Sequence, residues 1–196
     1  MASDCSSADA ARARVVADTR RWLERAVIGL NLCPFAKAPH VKEQIHYAVC
    51  LGSEPADLLD MLRHELQALA AADPSARETT LLMAPHLLAE FLDFNDFLDR
   101  ADGVLADLAL EGTLQIAPFH PRFQFAGTDP DDITNATNRA PYPTLHLIRE
   151  ASIDRAVAAF PEAETIYDAN MATLEKLGHA GWAALQVGPR PPEDAR

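Results

Sequence analysis

Apolar residues along the chain recur with two different periods, one typical of helices and one typical of strands. Repeats of three or four positions predict five helices, at about 8–30, 53–73, 87–110, 144–160 and 163–177. Short apolar runs bounded by turn residues predict three buried strands, at 44–51, 78–84 and 113–119. The polar, proline-containing end of the chain, from about residue 187, is predicted to be disordered.

The order of these elements predicts the fold class. Strand, helix, strand, helix and strand follow one another through short connections, which favours parallel pairing by right-handed crossovers. We therefore expect an α/β fold over residues 1–196, a single-domain layered sandwich with a small, mostly parallel sheet covered by helices. Three strands do not determine the strand order, so an α+β fold with an antiparallel sheet stays open as the alternative.

Composition and charge exclude several classes of protein. The chain has 17 Lys and Arg against 29 Asp and Glu, a formal net charge of −12, which opposes binding to nucleic acid and to anionic membranes. No apolar run is long enough for a membrane span, and the first residues lack the apolar core of a secretory signal. Cys5, Cys33 and Cys50 form neither a disulfide framework nor a metal knuckle. We expect a protein of the reducing cytoplasm.

The segment from Pro118 to Glu150 carries most of the candidate chemistry. It holds five of the fourteen prolines, and its phenylalanines provide apolar anchors that a disordered linker lacks. It begins where the third predicted strand ends. Because ligands of open parallel sheets bind outside the carboxyl ends of the strands, we expect this segment to form an ordered loop over that edge and to line a site there.

Two histidines in this segment are candidate acid–base residues. His120 follows the third strand, where its ring nitrogens could act as base, acid or ligand. His146 precedes Glu150 by four residues, so on the predicted helix both side chains would share one face. We expect the loop to bring the two histidines into one site. The alternatives are a His120 ring held by a loop carbonyl, and an ordinary helix-surface pair of His146 with Glu150.

Polar side chains near these histidines are candidate substrate ligands. Arg139 and Arg149 could clamp a carboxylate or a phosphate through bidentate hydrogen bonds, and we expect both to point into the same cavity. Asn138 and Tyr142 lie close to Arg139 along the chain and complete the predicted substrate-binding set. The alternative for the arginines is salt bridging to the acidic residues of the 129–132 run.

Cys33 is the third candidate catalytic residue. A nucleophilic thiol needs a lowered pKa, but Cys33 follows the carboxyl end of the first predicted helix, where the helix dipole disfavours a thiolate. A partner such as His120 or Arg139 would have to compensate. The alternative is a small buried thiol that only packs, which is the common fate of cysteine.

Together these residues predict a small-molecule enzyme that carries out transfer or hydrolysis on an anionic substrate. Histidine would supply acid–base catalysis, and arginine would stabilise negative charge. The first alternative is a metal-dependent enzyme in which His120, His146 and Glu150 bind a divalent cation. No Walker loop, GxGxxG, GxSxG or HExxH motif is present, so no particular cofactor is predicted.

The second alternative is a noncatalytic binding or adaptor protein. In that case the loop should present an exposed apolar face formed by Phe123, Phe125 and Tyr142, where an enzyme would have a concave polar pocket. The sequence does not determine the oligomeric state.

Three sequence motifs are distinctive: NLCPFA at 31–36, FHPRFQF at 119–125 and TNRAPYPTLHLIRE at 137–150. They resemble a family of uncharacterised bacterial proteins, domain of unknown function 1415, and the resemblance extends from Thr19 to Gly178. It implies a bacterial, single-domain protein but no particular reaction. The family pattern often has Asp-Tyr in place of Arg122-Phe123 and Ser in place of Ala140, so these three residues are poor candidates for an essential role.

Overall fold

The computed structural model describes residues 2–159 and 165–191. Its helices are α1 (Ala2–Trp22), α2 (Lys37–Val41), α3 (Pro55–Ala71), α4 (Phe91–Asp107), α5 (Glu150–Ala159) and α6 (Ile166–Ala184). A π-helical segment at Leu23–Ile28 continues α1, and a 3₁₀ helix covers Ile133–Asn138. The strands are β1 (Ile45–Val49), β2 (Thr79–Met83), β3 (Leu114–Phe119) and β4 (Thr144–Arg149). Within the described ranges, no helix combines the length and apolarity that crossing a membrane requires.

The four strands form one open sheet in the order β1-β2-β4-β3. β1 and β2 pair in parallel, whereas β4 pairs antiparallel with both β2 and β3. β1, β2 and β3 therefore run in the same direction, and β4 is inserted between β2 and β3 in the opposite direction. The predicted α/β sandwich is confirmed. The expectation of a mostly parallel sheet is wrong, however: the sheet is mixed and mostly antiparallel, because only the β1–β2 pairing is parallel.

β4 corrects the prediction of a helix over 144–160. Residues 144–149 form a strand, and the helix begins only at Glu150. Leu145 and Leu147 are buried on one face of the sheet, while His146 and Ile148 point to the other, which is the two-residue alternation of a strand. Hydrogen bonding to strands on both sides stabilises the extended chain, and this tertiary pairing overrides the local pattern.

Helices cover both faces of the sheet. Leu58, Leu62, Leu66 and Leu69 of α3 recur every three or four residues and are at most 1% exposed, packing with α4 against the face that carries Leu145 and Leu147. Burial of each such side chain contributes roughly 1.5–3 kcal/mol, so this face is the main apolar core. α1 and α5 lie against the opposite face, where the packing is less complete.

The segment between β3 and β4 is an ordered loop at the carboxyl edge of β3, as predicted. The amide oxygen of the fully buried Asn135 accepts hydrogen bonds from the Phe125 N–H and the Thr128 hydroxyl, both 2.9 Å long. The loop is tied back to the strand end by the His120 N–H, which donates to the Asn138 carbonyl over 3.2 Å. Most of its polar groups therefore bond within the loop.

Residues near the end of the chain lie against α1. The Asp18 carboxylate, 0% exposed, accepts hydrogen bonds from the backbone N–H and the guanidinium of Arg190, at 3.1 and 2.9 Å. The Arg21 guanidinium donates to the carbonyls of Gln186 and Gly188. The prediction therefore placed the start of the disordered tail, about residue 187, too early. Residues 192–196 lie outside the described part of the chain.

Candidate functional site

A cavity of about 650 Å³ lies on the face of the sheet that carries His146. We call it the sheet cavity. Its walls come from α1 and its π-helical continuation, the 33–45 segment, α5 and the strands, and most of the side chains are apolar. Prominent among them are Trp22, Phe35, Leu81, Phe119, Ile148 and Ile153. A volume of this size is within the range of small-molecule sites.

The sheet cavity does not lie in the predicted crevice. The lining residues of β1 and β2 include Ile45 and Thr79, the first residue of each strand, with Gln44 and Glu78 just before them. None of the residues 120–143 lines it. The cavity thus lies toward the amino ends of β1 and β2, and the loop that follows β3 takes no part in its lining.

Thr79 and His146 form a hydrogen-bonded polar pair at the wall of this cavity. The Thr79 hydroxyl donates to the Leu147 carbonyl over 2.6 Å, so its oxygen is left to accept from His146 Nε2, 2.8 Å away. This assigns the proton to Nε2 and leaves a lone pair on Nδ1. Burial lowers the pKa of His146 to about 4, so the imidazole is neutral at neutral pH.

Cys33 lines the same cavity and is half-buried. Burial raises the pKa of its thiol, an effect that the backbone N–H groups of Phe35 and Ala36 reduce but do not reverse. The thiol is therefore protonated at neutral pH and is not an activated nucleophile. The structure brings together two of the three predicted catalytic residues, His146 and Cys33.

His120 lies on the opposite face of the sheet from His146. Its ring stacks on Phe94 of α4 with centroids 5.2 Å apart, and the side chain is fully buried. Nδ1 accepts the Arg122 N–H over 3.0 Å, so Nε2 carries the proton and donates to the Leu88 carbonyl over 2.9 Å. Burial also lowers its pKa. The prediction that the two histidines share a site is wrong, and the alternative of a ring held by a loop carbonyl describes His120.

The predicted metal ligands His120, His146 and Glu150 do not form a set. The two histidines are separated by the sheet, and both ring nitrogens of His120 are already hydrogen bonded. His146 is on β4 and Glu150 begins α5, so the predicted helix-face pair does not exist. Across residues 2–159 and 165–191, no cluster of three His, Cys, Asp or Glu side chains could hold a metal ion.

The predicted anion-binding residues of the loop bond to the protein itself. The guanidinium of Arg139 donates to the carbonyls of Phe123, at 3.2 Å, and Pro130, at 2.6 Å. Burial lowers its pKa, while Asp131 and Asp132 raise it. The Asn138 amide approaches the Pro118 carbonyl at 3.5 Å, the long limit of a hydrogen bond. These contacts hold the loop together.

Arg149 lies at the other end of β4 and not in a cavity shared with Arg139. Its Nη2 lies 2.6, 2.8 and 3.2 Å from the carbonyl oxygens of Leu69, Ala72 and Arg77, so its two N–H groups are shared among three acceptors. The first two acceptors belong to the carboxyl end of α3, which Arg149 therefore satisfies. Its buried Nε has no hydrogen-bond partner among the described residues. The prediction that the two arginines converge is wrong, because β4 separates them by its full length.

Tyr142 is buried and bonds to Asp18. Its hydroxyl donates to the carboxylate over 2.9 Å, and burial followed by this hydrogen bond raises the pKa of Tyr142. Burial alone would raise the pKa of Asp18, but hydrogen bonds from Arg190, Tyr142 and Arg21 outweigh it and lower that pKa. Tyr142 is thus a packing residue beside α1 and does not belong to the predicted substrate site.

Sequence reasoning missed Thr79 and the two cations of the cavity, Lys42 and Arg155. Thr79 looks like an ordinary strand residue, because its partner His146 is 67 positions away. Lys42 and Arg155 lie outside every motif noted above. Only the folding of the 33–45 segment and α5 over the same sheet face brings them together, so no local signal could have identified them.

A second surface lies at the carboxyl edge, where the loop meets α4. Phe91, Phe123, Phe125 and Tyr167 form a row of ring contacts with centroids 5.1, 5.0 and 5.9 Å apart, and Leu92, 73% exposed, lies beside it. We call these five residues the aromatic surface. A shallow groove of about 450 Å³ runs along it. Phe123 and Phe125 thus occupy a partly exposed apolar face, while Tyr142 does not.

The comparisons with known proteins found one match. The model of the family described as "Protein of unknown function (DUF1415)" matches residues 14–184. That range contains all four strands and every lining residue of the sheet cavity. Neither the curated proteins nor the solved structures gave a match. The family match therefore supports the resemblance seen in the sequence and adds no reaction.

Proposed function

This chain belongs to the DUF1415 family, and we propose that it binds a small molecule with a largely apolar body in the sheet cavity. The observation that carries the proposal is the cavity itself, about 650 Å³ with mostly apolar walls and the Thr79–His146 pair among them. Ligand sites typically combine such walls with a few polar groups that orient the ligand. The net charge of −12 supports a ligand other than nucleic acid.

The Thr79–His146 pair indicates which polar group the ligand should carry. His146 donates from Nε2 to Thr79, and its ring makes no other hydrogen bond to a residue that the structure describes. Nδ1 is then an acceptor. A hydroxyl or N–H group on the ligand would bond to it, whereas a purely apolar molecule would leave it without a partner. The proposed ligand is therefore amphipathic.

Binding is better supported than catalysis. His146 and Cys33 line one cavity, which suits proton transfer or nucleophilic chemistry, but the pKa of about 4 for His146 and the raised pKa of Cys33 leave both groups neutral. A transfer or hydrolysis step on an anionic substrate stays a prediction. Since neither Arg139 nor Arg149 lines the cavity, charge stabilisation would have to come from other residues.

The test fills the cavity. Ala117 lines the cavity and pairs with His146 across β3 and β4. The larger side chain of Ala117→Leu would occupy space that the alkyl chain of decanol needs, so the affinity for decanol should fall about tenfold. Ala106→Leu, on the exposed side of α4, is the matched control and should bind normally. Fluorescence of Trp22 in a Trp182→Phe background reports binding, because Trp22 lines the cavity and the chain has two tryptophans.

The proposal fails if neither decanol nor 2-naphthol gives saturable binding to the wild-type protein. It also fails if Ala117→Leu binds both probes as tightly as Ala106→Leu does.

The aromatic surface supports a second candidate, the adaptor function. Leu92 is 73% and Tyr167 47% exposed, which is unusual for large apolar side chains. Exposed carboxylates occur on the same elements as these rings, on α4, in the loop and on α6, at Asp93, Asp96, Asp129 and Asp168. We propose that this surface would take a cationic, apolar segment of another protein, since opposite charges steer and orient such contacts.

Two peptides test this candidate, one of alternating lysine and leucine and one of glutamate and leucine. The lysine peptide should bind the wild-type protein, and Leu92→Gln should weaken it about tenfold because the exposed apolar anchor is lost. Val41→Gln, at a similarly exposed apolar residue (69%) at the end of α2, is the control. Equal binding of the two peptides, or no effect of Leu92→Gln, would exclude the candidate.

A further inference from the structure

The sheet cavity has a buried end and an exposed end. Trp22, Thr79 and Leu81 are 2%, 8% and 3% exposed, whereas Val157 is 49% exposed and Lys42 and Arg155 are also open to solvent. A ligand that fills the cavity would therefore place one end among apolar side chains and the other end at the protein surface. The chemistry of the exposed end decides which ligands can be held there.

Positive charge predominates at the exposed end. The ionised residues that line the cavity are Lys42, Arg155 and Glu78, two positive charges and one negative, which leaves a net charge of +1. The whole chain carries −12, so this end of the cavity opposes the general charge of the molecule. Such a local reversal attracts an anion to a site that the rest of the surface would repel.

Both Lys42 and Arg155 have N–H groups that can still bind a ligand. Arg155 donates to Glu78 and to the Ser152 hydroxyl, each over 3.0 Å, and both bonds use Nη2. Its side chain is 63% exposed, so the remaining guanidinium N–H groups face solvent. Lys42 follows α2 and makes no ion pair with any residue in the described ranges. An ammonium and a guanidinium that line the same cavity are groups that bind the oxygens of a carboxylate.

We infer that the ligand class of the sheet cavity is a monoanionic amphiphile, a carboxylate on an apolar chain or ring system, whose head binds Lys42 and Arg155. This inference rests on the proposed binding function and names its ligand. A single negative charge balances the net charge of +1 at the rim, whereas a phosphate dianion would exceed it. The apolar part extends toward Trp22, and a donor group on it would bond to His146.

The experiment compares probes with one chain and different heads. Decanoate, decanol, decyl phosphate and decyltrimethylammonium are titrated below their micelle concentrations into the Trp182→Phe protein, with Trp22 as the reporter. Decanoate should bind about fivefold more tightly than decanol, and the ammonium probe should bind most weakly. The advantage of decanoate should shrink in high salt, because the rim is exposed and its charges are screened.

Lys42→Gln should lower the affinity for decanoate about threefold and so remove most of its preference over decanol. Lys37→Gln makes the same change of charge on an exposed residue five positions earlier that does not line the cavity, and should alter neither affinity.

Three results would overturn the inference while the proposed function stands. The first is equal binding of decanoate and decanol, and the second is a preference for decanoate that survives in Lys42→Gln. The third is tighter binding of decyl phosphate than of decanoate, which would assign a dianionic head. Failure of every probe to bind would instead overturn the proposed function itself.

Discussion

Two histidines show how the same residue type acquires different roles. Burial lowers the pKa of both His120 and His146, so neither is charged at neutral pH. His120 uses both ring nitrogens inside the protein, one to accept the Arg122 N–H and one to donate to the Leu88 carbonyl. His146 uses Nε2 alone and faces a cavity. The number of ring nitrogens left for a ligand, and not the pKa, distinguishes the functional candidate from the structural residue.

The pH dependence of stability tests the buried state of His146. Its pKa is about 4 in the folded protein and 6.5 in the unfolded chain, so the unfolded chain binds the proton more readily. The contribution of neutral His146 is complete above pH 6.5 and is lost as the pH falls toward 4. The free energy of unfolding should drop by at most about 3 kcal/mol from this group, at 1.36 kcal/mol per pKa unit.

His146→Gln isolates that contribution, because the glutamine amide can still donate to Thr79 but does not titrate. Urea unfolding from pH 7 to pH 4.5 should show a shallower loss of stability in His146→Gln than in the wild type. His86→Gln, at an exposed position, should follow the wild type. Identical slopes in all three proteins would show that the ring is not protected from solvent.

At the scale of elements, polar side chains that the sequence suggested for a ligand turn out to terminate helices and to hold loops. Arg149 closes the carboxyl end of α3 through the carbonyls of Leu69 and Ala72 and also bonds to the Arg77 carbonyl before β2. Arg139 joins distant parts of the β3–β4 loop through the carbonyls of Phe123 and Pro130. Free carbonyls at a helix end and buried loop amides need partners, and long polar side chains supply them.

Arg149→Met should therefore destabilise the fold. The substitution keeps much of the apolar length of the side chain but removes the donor of three hydrogen bonds, which should lower the free energy of unfolding by about 2–3 kcal/mol. Arg63→Met, which breaks only an exposed ion pair between α3 and Asp107, should cost less than about 1 kcal/mol. Urea denaturation measures the free energy of unfolding of both variants. Equal losses would show that Arg149 does not stabilise the carboxyl end of α3.

The same variants separate a structural role from substrate binding. Where the protein remains folded, Arg149→Met should bind decanol and decanoate as the wild type does, because Arg149 does not line the sheet cavity. If fully folded Arg149→Met instead binds these probes about tenfold more weakly, Arg149 belongs to the binding site.

At the scale of the whole molecule, Asp18 joins parts of the chain that are far apart in sequence. It accepts from Arg21 on α1, from Tyr142 ahead of β4 and from Arg190 near the end of the chain. This buried carboxylate holds α1 and the 186–190 segment together beside the sheet. Removing one member of such a network leaves its buried charged or polar partners without a hydrogen-bond partner, and this lowers the free energy of unfolding.

Asp18→Asn should lower the free energy of unfolding by about 3 kcal/mol, since the neutral amide keeps the volume but loses the charge that three donors share. Amide exchange should also become faster over 187–190. Asp9→Asn, an exposed position on the same helix, should change neither measurement. Because hydrogen bonds lower the pKa of Asp18 below 3.8, its contribution is complete above pH 3.8 and declines as the pH falls further.

The sequence by itself determined the class of the fold and most of its elements. Apolar periodicity located three of the four strands and the three long helices before residue 110, because each of those segments buries one continuous face. It also indicated an ordered loop after β3. The signal failed at 144–149, where six residues are too few to distinguish a helical repeat from a strand that is paired on both sides.

Only the tertiary structure decided the site. The insertion of β4 between β2 and β3 placed His146 on one face of the sheet and His120 on the other, 26 residues apart in sequence and separated by the core. It also assembled a cavity from Cys33, Lys42, Thr79, His146 and Arg155, which no local pattern connects. Side-chain direction in a sheet depends on register, and register is set by pairing between distant strands, so the composition of a binding face appears only after the chain has folded.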